Sequence, residues 1–190
     1  MPISFTKLST PALAPADNGR IAWSPDGIYL AQAGGSITSS PTPYVDWYKR
    51  TDDEFTKLTS PTGPGVNTFG LKWSPDGTHL AVCGYHNAGG PYVSIYKRSG
   101  DTLTKLTTGI PTTPTRSYMC AYSPNGTYFA VSYGHDFSLN PNGPYLRIYK
   151  RSGDTYTLLT SIATSVVPGN AREMDWLPDG SHLVISHSPQ

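Results

Sequence analysis

The adjacent histidine and carboxylate at 135–136 are the first candidates for chemistry in this sequence. His86 occupies the place equivalent to His135 in another copy of a repeated unit. An imidazole beside a carboxylate such as Asp136 can move protons or hold a metal ion. Loop histidines are more often solvated, however, and no nucleophile elbow, phosphate loop, zinc-type His-Glu pattern or paired-cysteine motif accompanies them. We therefore predict a protein that is not an enzyme, with no catalytic residue, no metal and no cofactor.

Three of the remaining carboxylates, Asp26, Asp76 and Asp179, belong to a turn that occurs four times in the chain. WSPDG stands at 23–27 and 73–77, YSPNG at 122–126 and WLPDG at 176–180. Proline presets φ, Asp or Asn accepts hydrogen bonds from the backbone ahead of it, and Gly takes the positive φ that returns the chain. The carboxylates at these positions are therefore predicted to shape turns and not to catalyse.

Further markers recur in phase with this turn and define the elements around it. They are PYVDWYKR (43–50), PYVSIYKR (91–98) and PYLRIYKR (144–151), each followed by a short polar turn and then by a run such as EFTKL or TLTKL. Each unit thus carries four short runs with the alternation and β-branched or aromatic content of strands. We name them strands a, b, c and d, and no segment reads as a helix of useful length.

Four-stranded antiparallel units repeated at this period are typical of β-propeller blades. The SPDG turn after the innermost strand resembles that of WD-repeat-type blades, although the Gly-His before the blade and the Trp-Asp ending strand c are absent. The longer phrase WSPDGxxLAV…PYxxIYKRSGDTxTKL is similar to repeats in tailed-phage virion proteins. We predict an all-β propeller domain, with units at 20–59, 70–107, 118–160 and a partial fourth at 171–188 with 4–9.

Equivalent positions of the repeats predict the core. Strand a is expected to bury Ile21, Leu71, Cys120 and Met174, and strand b to bury Leu30, Leu80, Phe129 and Leu183. Tyrosines recur in register on strand c, which indicates packing between blades. The two cysteines, Cys83 and Cys120, lie in apolar strand-like runs, so we expect buried free thiols, with a single bridge as the less favoured alternative.

Loop variation between the repeats indicates where binding occurs. The a–b and c–d turns are nearly uniform, whereas the b–c and d–a connections differ at 35–42, 60–70, 85–90, 108–117, 135–143 and 161–172. In a propeller these connections share one face, and loops free to differ commonly carry recognition, although drift would look the same. The predicted binding residues are Phe69, Tyr85, His86, Asn87, Arg116, Tyr118, His135, Asp136, Phe137, Asn140, Asn142 and Arg172.

Composition narrows the possible partners. Charged residues make up 14% of the chain and the net charge is +1, so neither nucleic-acid binding nor membrane insertion is expected. The N-terminus, MPISFTKLST, has no apolar run of signal-peptide length, so we expect a soluble chain made without a cleavable signal. With the resemblance to virion repeats, this favours a structural phage component in the virion, or in the bacterial cytoplasm before assembly. A glycan- or receptor-binding adhesin is the alternative.

The last unit lacks a strand c, which would leave strand b at 182–187 as an open sheet edge. Such an edge presents unpaired backbone groups and favours pairing with another chain. We therefore expect a homo-oligomer, with a dimer sharing one ring as the leading arrangement. Another virion protein that donates the strand is the second possibility, and a cell-surface glycan is a further candidate partner.

Overall fold

The computed structural model describes residues 19–35, 44–64, 67–85, 92–113, 115–134, 145–162 and 171–187. Over these ranges every regular element is a β-strand. The strands are β1 (Arg20–Trp23), β2 (Tyr29–Gly34), β3 (Tyr44–Thr51), β4 (Glu54–Lys57), β5 (Asn67–Trp73), β6 (His79–Tyr85), β7 (Val93–Ser99), β8 (Thr102–Lys105), β9 (Ser117–Tyr122), β10 (Tyr128–Tyr133), β11 (Leu146–Ser152), β12 (Thr155–Ile162), β13 (Ala171–Trp176) and β14 (Leu183–His187). None of the described segments forms a helix long and apolar enough to cross a membrane.

The strands form antiparallel sheets in simple chain order. We call β1–β4 blade 1, β5–β8 blade 2, β9–β12 blade 3, and the pair β13–β14 blade 4. Because each strand pairs with the next in the sequence, the a–b and c–d turns lie at one end of every sheet and the other connections at the opposite end. We name these the turn end and the loop end. The predicted all-β fold of four-stranded antiparallel blades is confirmed. The strand predicted at 4–9 as part of blade 4 lies outside the described residues.

The repeated turn folds through the contacts that its residues predict. In blade 1, Asp26 accepts a hydrogen bond from the Ile28 amide at 3.0 Å, and the Ser24 hydroxyl accepts one from the Tyr29 amide at 2.8 Å. Gly27 has a φ of 68°, which closes the reversal without the steric penalty that a side chain would bring. The same contacts recur around Ser74 in blade 2 and Ser123 in blade 3. The turn is therefore a local unit that each repeat forms for itself.

The hydrophobic core lies between neighbouring blades. One cluster joins blades 1 and 2 around Trp47, Trp73 and Tyr96, and a second joins blades 2 and 3 around Ile95 and Phe129. A third joins blades 3 and 4 through Ala121, Ala130, Tyr145, Leu146 and Met174. Blades 2 and 3 thus each bury one face against the blade before them and the other against the blade after them, whereas within the described residues blade 1 buries only the face toward blade 2.

One core prediction is wrong, and the reason lies in this arrangement. Leu71, Cys120 and Met174 are buried as predicted, but the equivalent Ile21 is 67% exposed. The first three face the preceding blade, whereas among the described residues no blade precedes blade 1. On strand b, Leu80 and Phe129 are fully buried, while Leu30 and Leu183 are only half-buried.

The predicted state of the cysteines is confirmed, because Cys83 and Cys120 are both free and buried. Burial, followed by interaction with Cys120, raises the pKa of the Cys83 thiol well above its usual range. A buried neutral thiol of this kind behaves as a small apolar side chain. Both thiols therefore belong to the packing between blades 2 and 3.

Candidate functional site

The first strands of the sheets lie side by side and form a continuous inner wall. Strand β1 contacts β5, β5 contacts β9, and β9 contacts β13. The Arg20 Nε donates a hydrogen bond to the Phe69 carbonyl at 3.0 Å, which ties the wall of blade 1 to that of blade 2. At Gly70 a Cβ would lie 2.6 Å from the Cys83 Sγ and 3.2 Å from the Tyr118 carbonyl. Glycine at this bulge therefore allows β5 to approach both β6 and β9 closely.

A recess of about 230 Å³ opens on this inner wall. It is lined by Arg20, Ile21, Phe69, Gly70, Leu71, Lys72, Met119, Cys120 and Glu173, which come from all four blades. The lining combines two cations and one carboxylate with apolar and sulfur-containing side chains. Polar and apolar atoms contribute about equally to this lining, and polar groups in a pocket fix the orientation of a ligand.

The charged side chains of the recess are accessible and belong to three blades. Arg20, Lys72 and Glu173 are all exposed, and among the described residues no ion pair involves any of them. A cation can bind a carbonyl or carboxylate oxygen, while a carboxylate can accept a proton from water. Among the described residues, these three charged groups of the inner wall are therefore not engaged in ion pairs.

Two aromatic contacts at the loop end involve predicted binding residues. The rings of Phe69 and Tyr118 stack with their centroids 5.6 Å apart and an interplanar angle of 15°. The Arg116 guanidinium lies over the Tyr85 ring, 4.8 Å from its centroid. All four side chains are half-buried, and they link blade 2 to blade 3. The structure thus brings these four predicted residues into two pairs at one junction.

Packing explains part of the position of Tyr118. A Cβ on Gly134 would lie 2.2 Å from the Tyr118 Cε2, so the ring occupies space that only glycine leaves open. The Gly134 amide also donates a hydrogen bond to the Arg116 carbonyl at 2.9 Å. Tyr118 is therefore held between Phe69 and the end of strand β10.

The other predicted binding residues are outside what the structure describes. They are His86, Asn87, His135, Asp136, Phe137, Asn140 and Asn142, together with the side chain of Arg172. Over the described ranges no three His, Cys, Asp or Glu side chains are grouped so as to hold a metal ion.

The cations of the inner wall are not among the residues predicted from the sequence. Arg20 and Lys72 stand within strand a, next to core positions, and Glu173 occupies the same strand in blade 4. The sequence signal for these three residues is a charged side chain within the otherwise apolar first strand of a repeat. Their common recess, however, depends on how closely the four first strands approach one another.

Comparison with known proteins identifies the fold. The periplasmic gluconolactonase of Pseudomonas aeruginosa matches 88% of this chain over 50% of its own, with 13% identity and a TM-score of 0.63. A gluconolactonase of Xanthomonas campestris matches 89% over 53% of its own, with 16% identity and a TM-score of 0.59. TolB of Acinetobacter baumannii matches 89% over 37% of its own, with 20% identity and a TM-score of 0.54. No protein-family model and no curated protein matches the sequence.

These neighbours are β-propeller proteins, and the chain spans about half or less of their length. They contradict the functional predictions made from the sequence. A non-enzymatic phage component with a glycan-binding adhesin as its alternative was wrong, because two of these three solved propellers are named as gluconolactonases and none of the three is named as a phage protein. At these identities the likeness shows the β-propeller fold of this chain and leaves its activity to be proposed.

Proposed function

We propose that this chain forms part of an enzymatic β-propeller that hydrolyses a small sugar-derived lactone. The observation that carries the proposal is the recess on the inner wall, which Arg20, Lys72 and Glu173 line together with Ile21 and Met119. The names of two structural neighbours, both gluconolactonases, support the choice of substrate class.

The three charged groups match the charge changes of lactone hydrolysis. In this reaction the oxygen of a water molecule attacks the carbonyl carbon, and the bond from that carbon to the ring oxygen then breaks. Glu173 accepts the proton of the attacking water and returns it to the departing ring oxygen, so the product is a hydroxy acid. Arg20 and Lys72 stabilise the negative charge that develops on the carbonyl oxygen.

The size and floor of the recess favour a small substrate. At about 230 Å³ it is below the range of roughly 300–1,000 Å³ usual for drug-sized ligands. The half-buried Met119 side chain can contact the face of a sugar ring, while the charged groups bind its polar edge. The stacked Phe69 and Tyr118 continue this surface toward the loop end.

The test measures hydrolysis of glucono-δ-lactone by the whole purified chain, with acid release followed in a pH-stat and the spontaneous rate subtracted. We expect the variant Glu173→Gln to lower kcat at least about 100-fold, since loss of a general base commonly costs that much. Glu54→Gln is the matched control, because Glu54 is the only other glutamate and lies on the outer strand β4.

One further variant tests the role of a cation. Lys72→Met keeps the length of the side chain and removes its charge, so we expect a lower kcat with little change in the unfolding free energy. No rate above the spontaneous one, or equal rates for the Glu173→Gln and Glu54→Gln variants, would overturn the proposal.

A further inference from the structure

The junction between blades 2 and 3 is held at the turn end by an interlocking set of charges. The Arg151 Nη2 donates to Asp76 Oδ2, Thr78 Oγ1 and His79 Nδ1, each at 2.8 Å. The Asp154 Oδ1 lies 2.9 Å from His79 Nε2. We call Asp76, Thr78 and His79 the receiving group, and Arg151 with Asp154 the inserting pair.

Burial and proton placement make this junction specific. The side chains of His79 and Arg151 are only 3% and 8% exposed. Because Arg151 donates to Nδ1, that nitrogen accepts, and the proton of a neutral imidazole is on Nε2, which donates to Asp154. Both charges of the inserting pair therefore find a partner on the blade before them.

The junction between blades 1 and 2 follows the same rule with a tyrosine in place of histidine. The Tyr29 hydroxyl donates to Asp101 Oδ1 at 2.6 Å, and the Arg98 Nη2 lies 3.5 Å from Asp26 Oδ2. Blades 2 and 3 therefore each insert the Arg and Asp that flank their c–d turn against the a–b turn of the preceding blade.

Blade 4 carries a receiving group with the same internal geometry. The sequence DGTH at 76–79 returns as DGSH at 179–182. The Ser181 hydroxyl donates to Asp179 Oδ1 at 2.6 Å and lies 2.7 Å from His182 Nδ1, as Thr78 does toward Asp76 and His79 at 2.7 and 2.8 Å. Asp179 and His182 are nevertheless exposed, and no described residue inserts between them.

Blade 1 carries an inserting pair that meets no receiving group among the described residues. Arg50 and Asp53 occupy the positions of Arg151 and Asp154 around the c–d turn. Asp52, between them, has a φ of 54°, close to the 58° of Gly153, so the two turns share one backbone conformation. The Arg50 Nε donates to the Asp52 carbonyl at 2.7 Å, as Arg151 Nε does to Gly153 at 3.2 Å.

Apolar side chains beside these charges are exposed on the same two end faces. On blade 1, Ile21 is 67% and Trp23 46% exposed, whereas the equivalent Leu71 and Trp73 of blade 2 are buried against blade 1. On blade 4, Val184 is 61% exposed, whereas the equivalent Ala81 is buried in the junction with blade 3. Both end faces therefore match surfaces that are covered elsewhere in the molecule.

We propose that blade 1 of one copy of this chain docks onto blade 4 of a second copy, with Arg50 on Asp179 and Asp53 on His182. Two copies related by a two-fold axis form two identical junctions and close one ring. The size agrees, since this chain spans 50% and 53% of two gluconolactonase propellers. Within the described ranges of one chain the two faces do not meet, because the side chains of both are exposed. The inference does not depend on the lactonase proposal.

The test uses charge reversal at the proposed junction and measures mass in solution by light scattering from about 1 to 100 µM. The wild type should form a dimer of this 20.5 kDa chain. Arg50→Asp and Asp179→Arg should each raise the dimer dissociation constant at least about tenfold, because like charges then meet. Thr104→Arg, at an exposed site on the outer strand β8, is the control and should leave the dimer unchanged.

Mixing the two single variants tests whether the partner face comes from a second copy of the chain. An equimolar mixture of Arg50→Asp and Asp179→Arg should regain the dimer, since one junction is then native and the other has both charges exchanged. The double variant should also dimerise, which shows that neither substitution prevents folding. A wild type that stays monomeric would overturn the proposal in favour of closure within one chain or by another protein. The proposal would equally be overturned if the double variant formed the dimer while the mixture did not.

Discussion

The turn end and the inner wall use their charged residues in opposite ways. At the turn end, Asp76 and Arg151 are paired across a blade junction, and each also binds neighbouring hydroxyl or backbone groups. On the inner wall, Arg20, Lys72 and Glu173 make no ion pair within the described ranges and line a recess. Charges that are already satisfied stabilise the fold, whereas charges without an ion pair remain available to a ligand.

The acidity of the turn-end carboxylates reflects this difference. Burial by itself would raise the pKa of Asp76, but hydrogen bonds from Arg151, Ser74 and Thr78 outweigh it and hold that pKa well below its usual range. The same bonds fix the a–b turn and its neighbour blade together. The comparison therefore predicts that substitutions at the turn end change stability, while those on the inner wall change ligand binding or turnover.

The largest expected effect is a decrease in the unfolding free energy of an Asp76→Ala variant. The change removes bonds from the Thr78 amide and from Arg151, whose guanidinium is nearly buried. Hydrogen bonds contribute about 1 kcal/mol each, and the side chain of Asp76 is half exposed, so we expect a loss of about 2 kcal/mol. Urea unfolding at fixed protein concentration measures it.

The matched control is Asp175→Ala on β13, where the carboxylate is exposed and accepts one hydrogen bond, from the Trp176 amide. We expect a change below about 0.5 kcal/mol. Equal losses for the two variants would mean that the turn end has no special structural role.

The pH dependence of stability should come partly from His79. Burial, followed by the Arg151 charge, lowers the pKa of His79 below its ordinary value. The unfolded chain therefore takes up this proton first as pH falls, so the stabilising contribution is complete above about pH 6.5 and is lost as pH falls through the lower folded value. The slope from one such group is at most about 1.4 kcal/mol per pH unit.

A His79→Tyr variant tests this contribution, because tyrosine occupies the equivalent positions 29 and 128. Urea unfolding between pH 7.5 and 5 should show a smaller decline for the variant than for the wild type. Equal declines of the unfolding free energy for variant and wild type would show that groups other than His79 cause the pH dependence.

Local patterns predicted the turns and the buried positions of complete blades, but not the ends or the inner wall. The bonds around Ser24, Asp26 and Gly27 involve a few consecutive residues, so the sequence WSPDG contains all that they need. The repeat also predicted burial of Ile21, yet burial at that position requires a preceding blade. Likewise, the recess that joins Arg20 to Glu173 depends on packing between first strands that are distant in sequence.

The smallest expected effect concerns a turn-end position where blade 1 departs from its neighbours. Asp52 has a φ of 54°, in a region where the equivalent Gly100 and Gly153 have 55° and 58°. A side chain at this φ destabilises the folded state by about 1 kcal/mol. Replacing it with glycine removes that cost, but glycine also makes the unfolded chain more flexible, which offsets part of the gain in stability. We therefore expect Asp52→Gly to raise the unfolding free energy by about 0.5 kcal/mol, measured by urea unfolding.

Asp52→Ala is the control and should lower it, because alanine has the same steric conflict without the polar side chain that tolerates this conformation. A stabilising Asp52→Ala variant would show that backbone strain at this turn is absent.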